Sequence, residues 1–217
     1  MKTAKVEYNP ALESLEITEA AILFERNYSF EYLDMLNWPV QFPYKPDCRF
    51  KIARSINSLL IHFKVKERNI RATFATNHEP VWEDSCVEFF CQLPGQKHYF
   101  NFEFNCIGTC LATKRLSRTE DVIPFKSEEM NLIKRFSTLG NTSFEECSGN
   151  FEWKLTVEIP FSLLRIRTDE LPNVIKANFY KCGDETSVPH YLSWNNIMTK
   201  EPDFHQPEFF GELIFEA

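Results

Sequence analysis

The stretch from Cys86 to Cys106, CVEFFCQLPGQKHYFNFEFNC, decides the fold. Val87, Phe89 and Cys91 alternate with Glu88, Phe90 and Gln92, and further on Phe100, Phe102 and Phe104 alternate with Tyr99, Asn101, Glu103 and Asn105. A period of two marks extended chain, because successive side chains of a strand point to opposite faces. Pro94-Gly95 between the runs is turn chemistry, since proline presets its own φ and glycine accepts the positive φ of a tight turn. The stretch reads as an antiparallel hairpin with one apolar face and one that mixes amides, carboxylates and aromatic rings.

The same period recurs outward from the hairpin. Before it, Arg49 to Ser55, Ser58 to Lys66 and Ile70 to Thr76 read as strands; in the second, Leu59, Ile61, Phe63 and Val65 oppose Leu60, His62 and Lys64. After it come Ile107 to Lys114, Asn131 to Thr138, Phe151 to Ile159 with Trp153 on its inward face, Val174 to Lys181, Tyr191 to Trp194, and Glu212 to Phe215. Pro160 stops one of these strands, and Phe161 to Arg165 forms a helical turn. Residues 1–30 hold an edge strand and a short helical turn. Leu36 to Asp47, with Pro39, Pro43 and Pro46, is an irregular extended loop. Roughly ten short strands with long connections and little helix describe an all-β chain, a jelly-roll-type antiparallel β-sandwich. The 217 residues make one domain, with residues 1–45 expected as an N-terminal extension packing on it.

Composition narrows the function classes. The 21 Phe against 6 Gly suit half-buried pleated surfaces. A net charge of −7 offers no concentrated basic face for nucleic acid; Lys114, Arg115 and Arg118 are followed at once by Glu120 and Asp121 and read as a solvated loop. No run approaches the roughly 20 apolar residues that span a membrane. Met1 to Pro10 lacks the pattern of a secretory leader, and the seven Cys form no CxxC pair, so reduced thiols in a cytoplasmic protein are expected. Cys106 and Cys110, beside large apolar neighbours, read as buried thiols.

The mixed face of the hairpin continues into a third strand, where Lys176, Asn178 and Tyr180 oppose Ile175, Ala177 and Phe179. Glu88, Glu103, Asn105 and Asn178 then form a polar row suited to a sugar, whose hydroxyls need paired donors and acceptors and whose ring needs an aromatic platform. Any antiparallel sheet with one solvated face shows such alternation. Context favours binding: Trp82 stands beside Glu83 and Asp84, and Trp194, Phe204 and His205 lie near prolines toward the C-terminus. His190 and His205 would line the same pocket. Glu88 reads alternatively as an exposed strand carboxylate or as an ion pair with Lys176 or Arg71, and Asp84 as a strand-start cap.

These segments resemble the family 9 carbohydrate-binding modules and their DOMON-like relatives. The resemblance is carried by VWEDSCVEFF (81–90), FEFN (102–105) with Gly108, WKLTVEIP (153–160), ANFYKCGD (177–184), Ser193-Trp194 and PEFFGEL (207–213), in order over roughly residues 45–217. It implies a jelly-roll sandwich that binds a mono- or oligosaccharide between two aromatic rings without catalysis, in carbohydrate catabolism and often in association with glycoside hydrolases. Position by position, it implies Trp82 as one ring and Phe204 as the other, with Glu88 and Asn105 at hydrogen-bonding positions. Glu103 falls where the sugar-binding members carry a basic residue, which reverses the charge at a contact point. No cofactor is expected; family members also hold structural calcium, for which no oxygen-ligand run is assignable.

Two other readings use the same face. Glu88 and Glu103 facing each other on neighbouring strands would serve a glycoside-active protein that works through a carboxylate pair. A DOMON-type haem domain would need Met or His on the binding face, whereas Met1, Met35, Met130 and Met198 lie outside the clear strands.

Overall fold

The computed structural model describes residues 1–216. In chain order the strands are β1 (Thr3–Tyr8), β2 (Glu31–Tyr32), β3 (Asp47–Arg54), β4 (Ser58–Ala72), β5 (Cys86–Gln92), β6 (Tyr99–Asn105) and β7 (Cys110–Arg115). They continue with β8 (Ile123–Pro124), β9 (Lys134–Ser137), β10 (Phe144–Pro160), β11 (Val174–Cys182), β12 (Tyr191–Ser193) and β13 (Gly211–Phe215). Helix α1 (Ile17–Arg26) lies between β1 and β2, and a single turn, α2 (Ser127–Met130), precedes β9. The β5–β6 hairpin forms where the alternation places it, with Gly95 at φ 71°. The proline-marked loop before β3 is irregular, as its composition predicts.

The strands join in the order β8-β7-β6-β5-β11-β13-β1-β3-β4-β10-β9, with β12 beside β11 and β2 beside β3. The fold is mostly β, but the sheet is mixed rather than wholly antiparallel. Thr3 to Val6 run parallel to Glu212 to Phe215 of β13, and Glu7 and Tyr8 then run parallel to Ala53 and Arg54 of β3. The expected N-terminal edge strand is therefore internal, and residues 1–45 contribute to the sheet rather than only packing on it. Ala4 and Val6 are buried, and local alternation carries no sign of this position because both partner strands are distant in the chain.

The sheet curls on itself. Strands β11 and β3 are three strand steps apart, about 14 Å in a flat sheet, yet the Phe179 and Phe50 rings stack with centroids 3.6 Å apart. The two halves thus face each other across one core, built on β3, β4 and β10 from Phe50, Phe63, Trp153 and Leu155 and on β5, β6 and β11 from Phe89, Phe102, Phe104 and Phe179. Two strands run longer than the sequence reading: β4 is continuous through Arg68, and β10 begins at Phe144, with register shifts near Cys147 and Phe151. Helix α1, opened by reciprocal hydrogen bonds between Glu16 and Glu19, covers the outer face of β3, β4 and β10 through Ala20 and Phe24. Phe24 stacks on His62, which also meets Thr156 and Glu25.

One polar cluster lies between the halves. Lys181 Nζ is 2.9 Å from Glu67 Oε2 and 2.7 Å from His190 Nε2, while Trp153 Nε1 donates to Glu67 Oε1 at 2.6 Å. Burial and the Lys181 charge hold His190 well below its ordinary pKa, so its neutral ring accepts from Lys181. Breaking such a buried pair strands the remaining charge. Lys181→Met should therefore destabilise the fold by about 3–5 kcal/mol, and Lys181→Met with Glu67→Gln should recover most of the loss, both read by denaturant unfolding.

Candidate functional site

The outer face of β5, β6, β7 and β11 assembles in rows set by strand register. Tyr180 pairs with Glu88, Glu88 with Glu103, and Glu103 with Leu111. The adjoining row runs Asn178, Phe90, Asn101 and Thr113. All of these side chains share one face, as alternation requires.

That face is not the wet surface expected from its polarity. Trp38 from the proline-marked loop and Ile197, Phe204 and Phe210 from the C-terminal segment cover it, forming a second apolar cluster with Phe90, Tyr99 and Tyr180. Trp38 Nε1 donates to the Thr199 carbonyl and Ile197 N to Asn37 Oδ1, which ties the two covering segments together. Under this cover most of the row is satisfied internally. Asn178 Oδ1 accepts from the backbone N–H of Asn195 and Phe179, and its Nδ2 donates to the Asn195 carbonyl. Asn105 Nδ2 donates to Asp84 and the Phe74 carbonyl, and its Oδ1 accepts from Thr109 N. Trp194 is fully buried between Phe50 and Phe179. None of these three residues reaches the cavity described next.

The cover leaves open one cavity of about 330 Å³. Glu88 and Glu103, 3% and 4% exposed, lie at its base with Leu111 and Cys182. Trp82, Tyr191 and Phe204 supply aromatic walls. Of the residues read from the sequence, the structure thus brings together Trp82, Glu88, Glu103 and Phe204, with His205 beside them. Trp82, 36% exposed, sits on a 3-10 turn whose carbonyls accept from Asp184 N and Glu185 N. Phe204 is less free: one face stacks on Tyr180 at 4.2 Å, and the residue is only 9% exposed. His190 belongs to the Lys181 cluster instead.

Sequence reading missed Tyr191, Asp184, Arg115 and Arg118, which also line the cavity. Arg115 is buried rather than part of a solvated loop. It is the last residue of β7 and pairs with Tyr99, whereas the sequence reading ended that strand at Lys114. Its Nε donates to Thr113 Oγ1 at 2.8 Å and one terminal nitrogen to the Arg118 carbonyl at 3.1 Å. Glu88 pairs with neither Lys176 nor Arg71. Arg71 binds Asp84, which also accepts from the backbone N–H of Thr73 and Phe74 and so fastens the start of β5 to the end of β4.

The cavity carboxyls are electrostatically strained. Glu88 Oε1 accepts from Cys182 Sγ at 3.2 Å, and Glu103 Oε1 accepts from Asn101 Nδ2 at 2.6 Å. Among the described residues no Lys or Arg forms an ion pair with Glu88, Glu103 or Asp184. Burial, with the Glu103 charge, raises the Glu88 pKa well above the usual carboxylate value. Burial raises Glu103 to about 7 against the opposing pull of Arg115, and Asp184 to about 6. Burial, aided by Arg115 and Arg118, lowers His205 to about 3, so the ring that meets Tyr99 Oη at 2.9 Å is neutral.

Cys86, Glu88 and Cys182 bring their donor atoms within 4.8 Å of one another. Two thiols and one carboxylate do not form the all-oxygen set that calcium takes. Burial pushes Cys86 up to about 12 and Cys182 well above its usual value, which matches the observed thiol-to-carboxylate hydrogen bond. No Met lines the cavity, and His205, which does, has its Nδ1 engaged by Tyr99 Oη.

The sequence profile of carbohydrate-binding family 9 matches residues 18–215. No curated protein matches the chain significantly. Among solved structures, a proposed carbohydrate-binding protein from Bacteroides uniformis ATCC 8492 is 38% identical over 99% of both chains, with a TM-score of 0.93. A family 9 carbohydrate-binding module from Caldicellulosiruptor kristjanssonii, solved with glucose, is 12% identical with a TM-score of 0.55, covering 100% of this chain and 96% of that one. The same module solved with cellotriose gives the same identity and TM-score over 94% of its chain. At that identity the likeness speaks to the fold alone.

The raised carboxyls set a pH dependence. A group whose folded pKa exceeds its unfolded value binds more protons when folded, so stability is lost as pH rises through the folded value. Between pH 5 and 8 the protein should lose on the order of 2–3 kcal/mol from Glu103. Glu103→Gln should reduce that slope in thermal melts taken across the range, leaving the part that Glu88 and Asp184 contribute.

Proposed function

The chain belongs to carbohydrate-binding family 9, and on that premise we propose that the cavity bounded by Trp82, Tyr191 and Phe204 is a non-catalytic sugar site in a jelly-roll-type sandwich. The observation that carries this reading is the pairing of Glu88 with Glu103 at the base of an aromatic-walled cavity. Each carboxyl keeps one oxygen without a protein partner, so hydroxyl donors have acceptors to meet. The exposed Trp82 offers the apolar face of a sugar ring a platform, and the volume lies at the lower end for small-ligand sites. The glucose and cellotriose seen in the Caldicellulosiruptor kristjanssonii module support mono- and short oligosaccharides as the first ligands to test.

A second reading draws on the same pair. Burial and mutual repulsion raise both Glu88 and Glu103, so the pair retains a proton near neutrality, and one protonated and one ionised carboxyl are the groups an acid and a base require. Both groups rise from neighbouring strands of one sheet face, however, and hydrolysis needs them to flank the scissile bond.

Calorimetry with glucose, cellobiose and cellotriose should detect binding at millimolar concentration or tighter. Trp82→Ala should weaken it by about tenfold, the loss of one aromatic contact. If none of these or other common hexoses binds at millimolar levels, the sugar-site reading is wrong. Turnover of an aryl glycoside that disappears in Glu103→Gln would replace it with the second.

A further inference from the structure

We propose that this cavity selects a cationic amino sugar, its ammonium held between Glu88 and Glu103 while its ring lies against Trp82. The inference rests on the sugar-site reading and adds the chemical class of ligand. Glu88 and Glu103 face each other in register and are almost wholly buried, yet each engages the protein through only one oxygen, with Cys182 and Asn101 respectively. The second oxygen of each has no protein partner and is open to the cavity.

The other charged groups of the site offset that pair only in part: the Arg115 charge pulls against the rise of both carboxyls but forms no ion pair with either. Arg115, from β7, is engaged by Thr113 and the Arg118 carbonyl. Arg118 reaches toward Asp203, 3.9 Å away. Asp184, beyond the end of β11, adds a third carboxyl to the same cavity, and Glu83 stands beside Trp82 on its turn. His205 is neutral, and Tyr99, Tyr180, Tyr191 and Cys182 are held protonated by burial.

A neutral hydroxyl satisfies an acceptor but leaves two buried carboxyls in conflict over charge. That conflict keeps a proton on the pair at neutral pH. An ammonium brings three N–H donors and a full positive charge, so it can form a charge-assisted bond to each carboxylate and displace the proton held on the pair to solvent. Affinity for an amino sugar therefore rises with pH through the titration of the pair, until the amine itself deprotonates. Affinity for a neutral sugar carries no such rise.

The test is calorimetry on the full chain with glucose, glucosamine, N-acetylglucosamine and glucuronic acid at pH 7, repeated in two buffers of different ionisation enthalpy. Glucosamine should bind about ten- to a hundredfold tighter than glucose or N-acetylglucosamine, with net proton release seen for glucosamine alone. Glu103→Gln should bring the glucosamine-to-glucose ratio below about threefold. Glu88→Gln should do the same and serves if the first variant does not fold. Equal or tighter binding of glucose overturns the inference and leaves the sugar site standing. So does equal binding of N-acetylglucosamine, which has the ring without the charge, and so does a preference for glucuronic acid, which would put the arginines in command. Failure of every sugar defeats the sugar-site reading and this inference together.

Discussion

Burial of both faces of the β5–β6–β11 half-sheet governs the rest of the molecule. On one side Val87, Phe89, Phe102 and Phe179 pack into the core between the two halves. On the other, Phe90, Tyr99 and Tyr180 lie beneath Trp38, Phe204 and Phe210. A polar group taken out of water on such a strand is costly unless it finds a partner. Asn101 and Asn105 find one within the sheet and its adjoining loops, while Asn178 through Asn195 and Tyr180 through the Phe204 carbonyl hold the cover to the sheet. Glu88 and Glu103 are the members with an oxygen left over, and the site is built around them.

The curl of the sheet is the second requirement. Strand β1 passes from β13 to β3 within six residues and so links the halves through backbone hydrogen bonds. Gly211 shows how close this junction is, since a Cβ there would lie 2.7 Å from both the Lys2 carbonyl and the Trp194 ring. The Lys181–Glu67 pair spans the halves from the inside. Next to it in sequence, Cys182 points the opposite way, toward Glu88 at the cavity base. One strand end therefore supports the core on one face and the site on the other.

The charge pattern of the site follows from strand order. Glu103 occupies a position where the resemblance implies a basic residue. Positive charge reaches the same cavity from the neighbouring strand, through Arg115 at the end of β7 and Arg118 just beyond it. Because Arg115 makes its hydrogen bonds to Thr113 and a carbonyl, it biases the potential without neutralising either glutamate.

Much of this was legible in the sequence, because alternation and turn chemistry are local. Alternation of period two located the β5–β6 hairpin, β11 and the core side of β4 and β10, and it placed Glu88 and Glu103 on one face. Trp82 stood out as an aromatic beside that face. Local pattern could not show that β1 lies inside the sheet, since its partners are β3 and β13, far away in the chain. Nor could it distinguish a polar face open to water from one covered by loops, because the covering residues, Trp38 and Phe204, come from opposite ends of the chain. Packing between the halves buried Trp194, the loop before β5 engaged Asn105 through Asp84, the C-terminal segment engaged Asn178 through Asn195, and Tyr191, Asp184 and Arg115 line the cavity. The sequence by itself determined which side chains share a face, because pleating is a property of consecutive residues. Only the tertiary structure decided which of them remain without a partner, because desolvation and pairing depend on what folds over them.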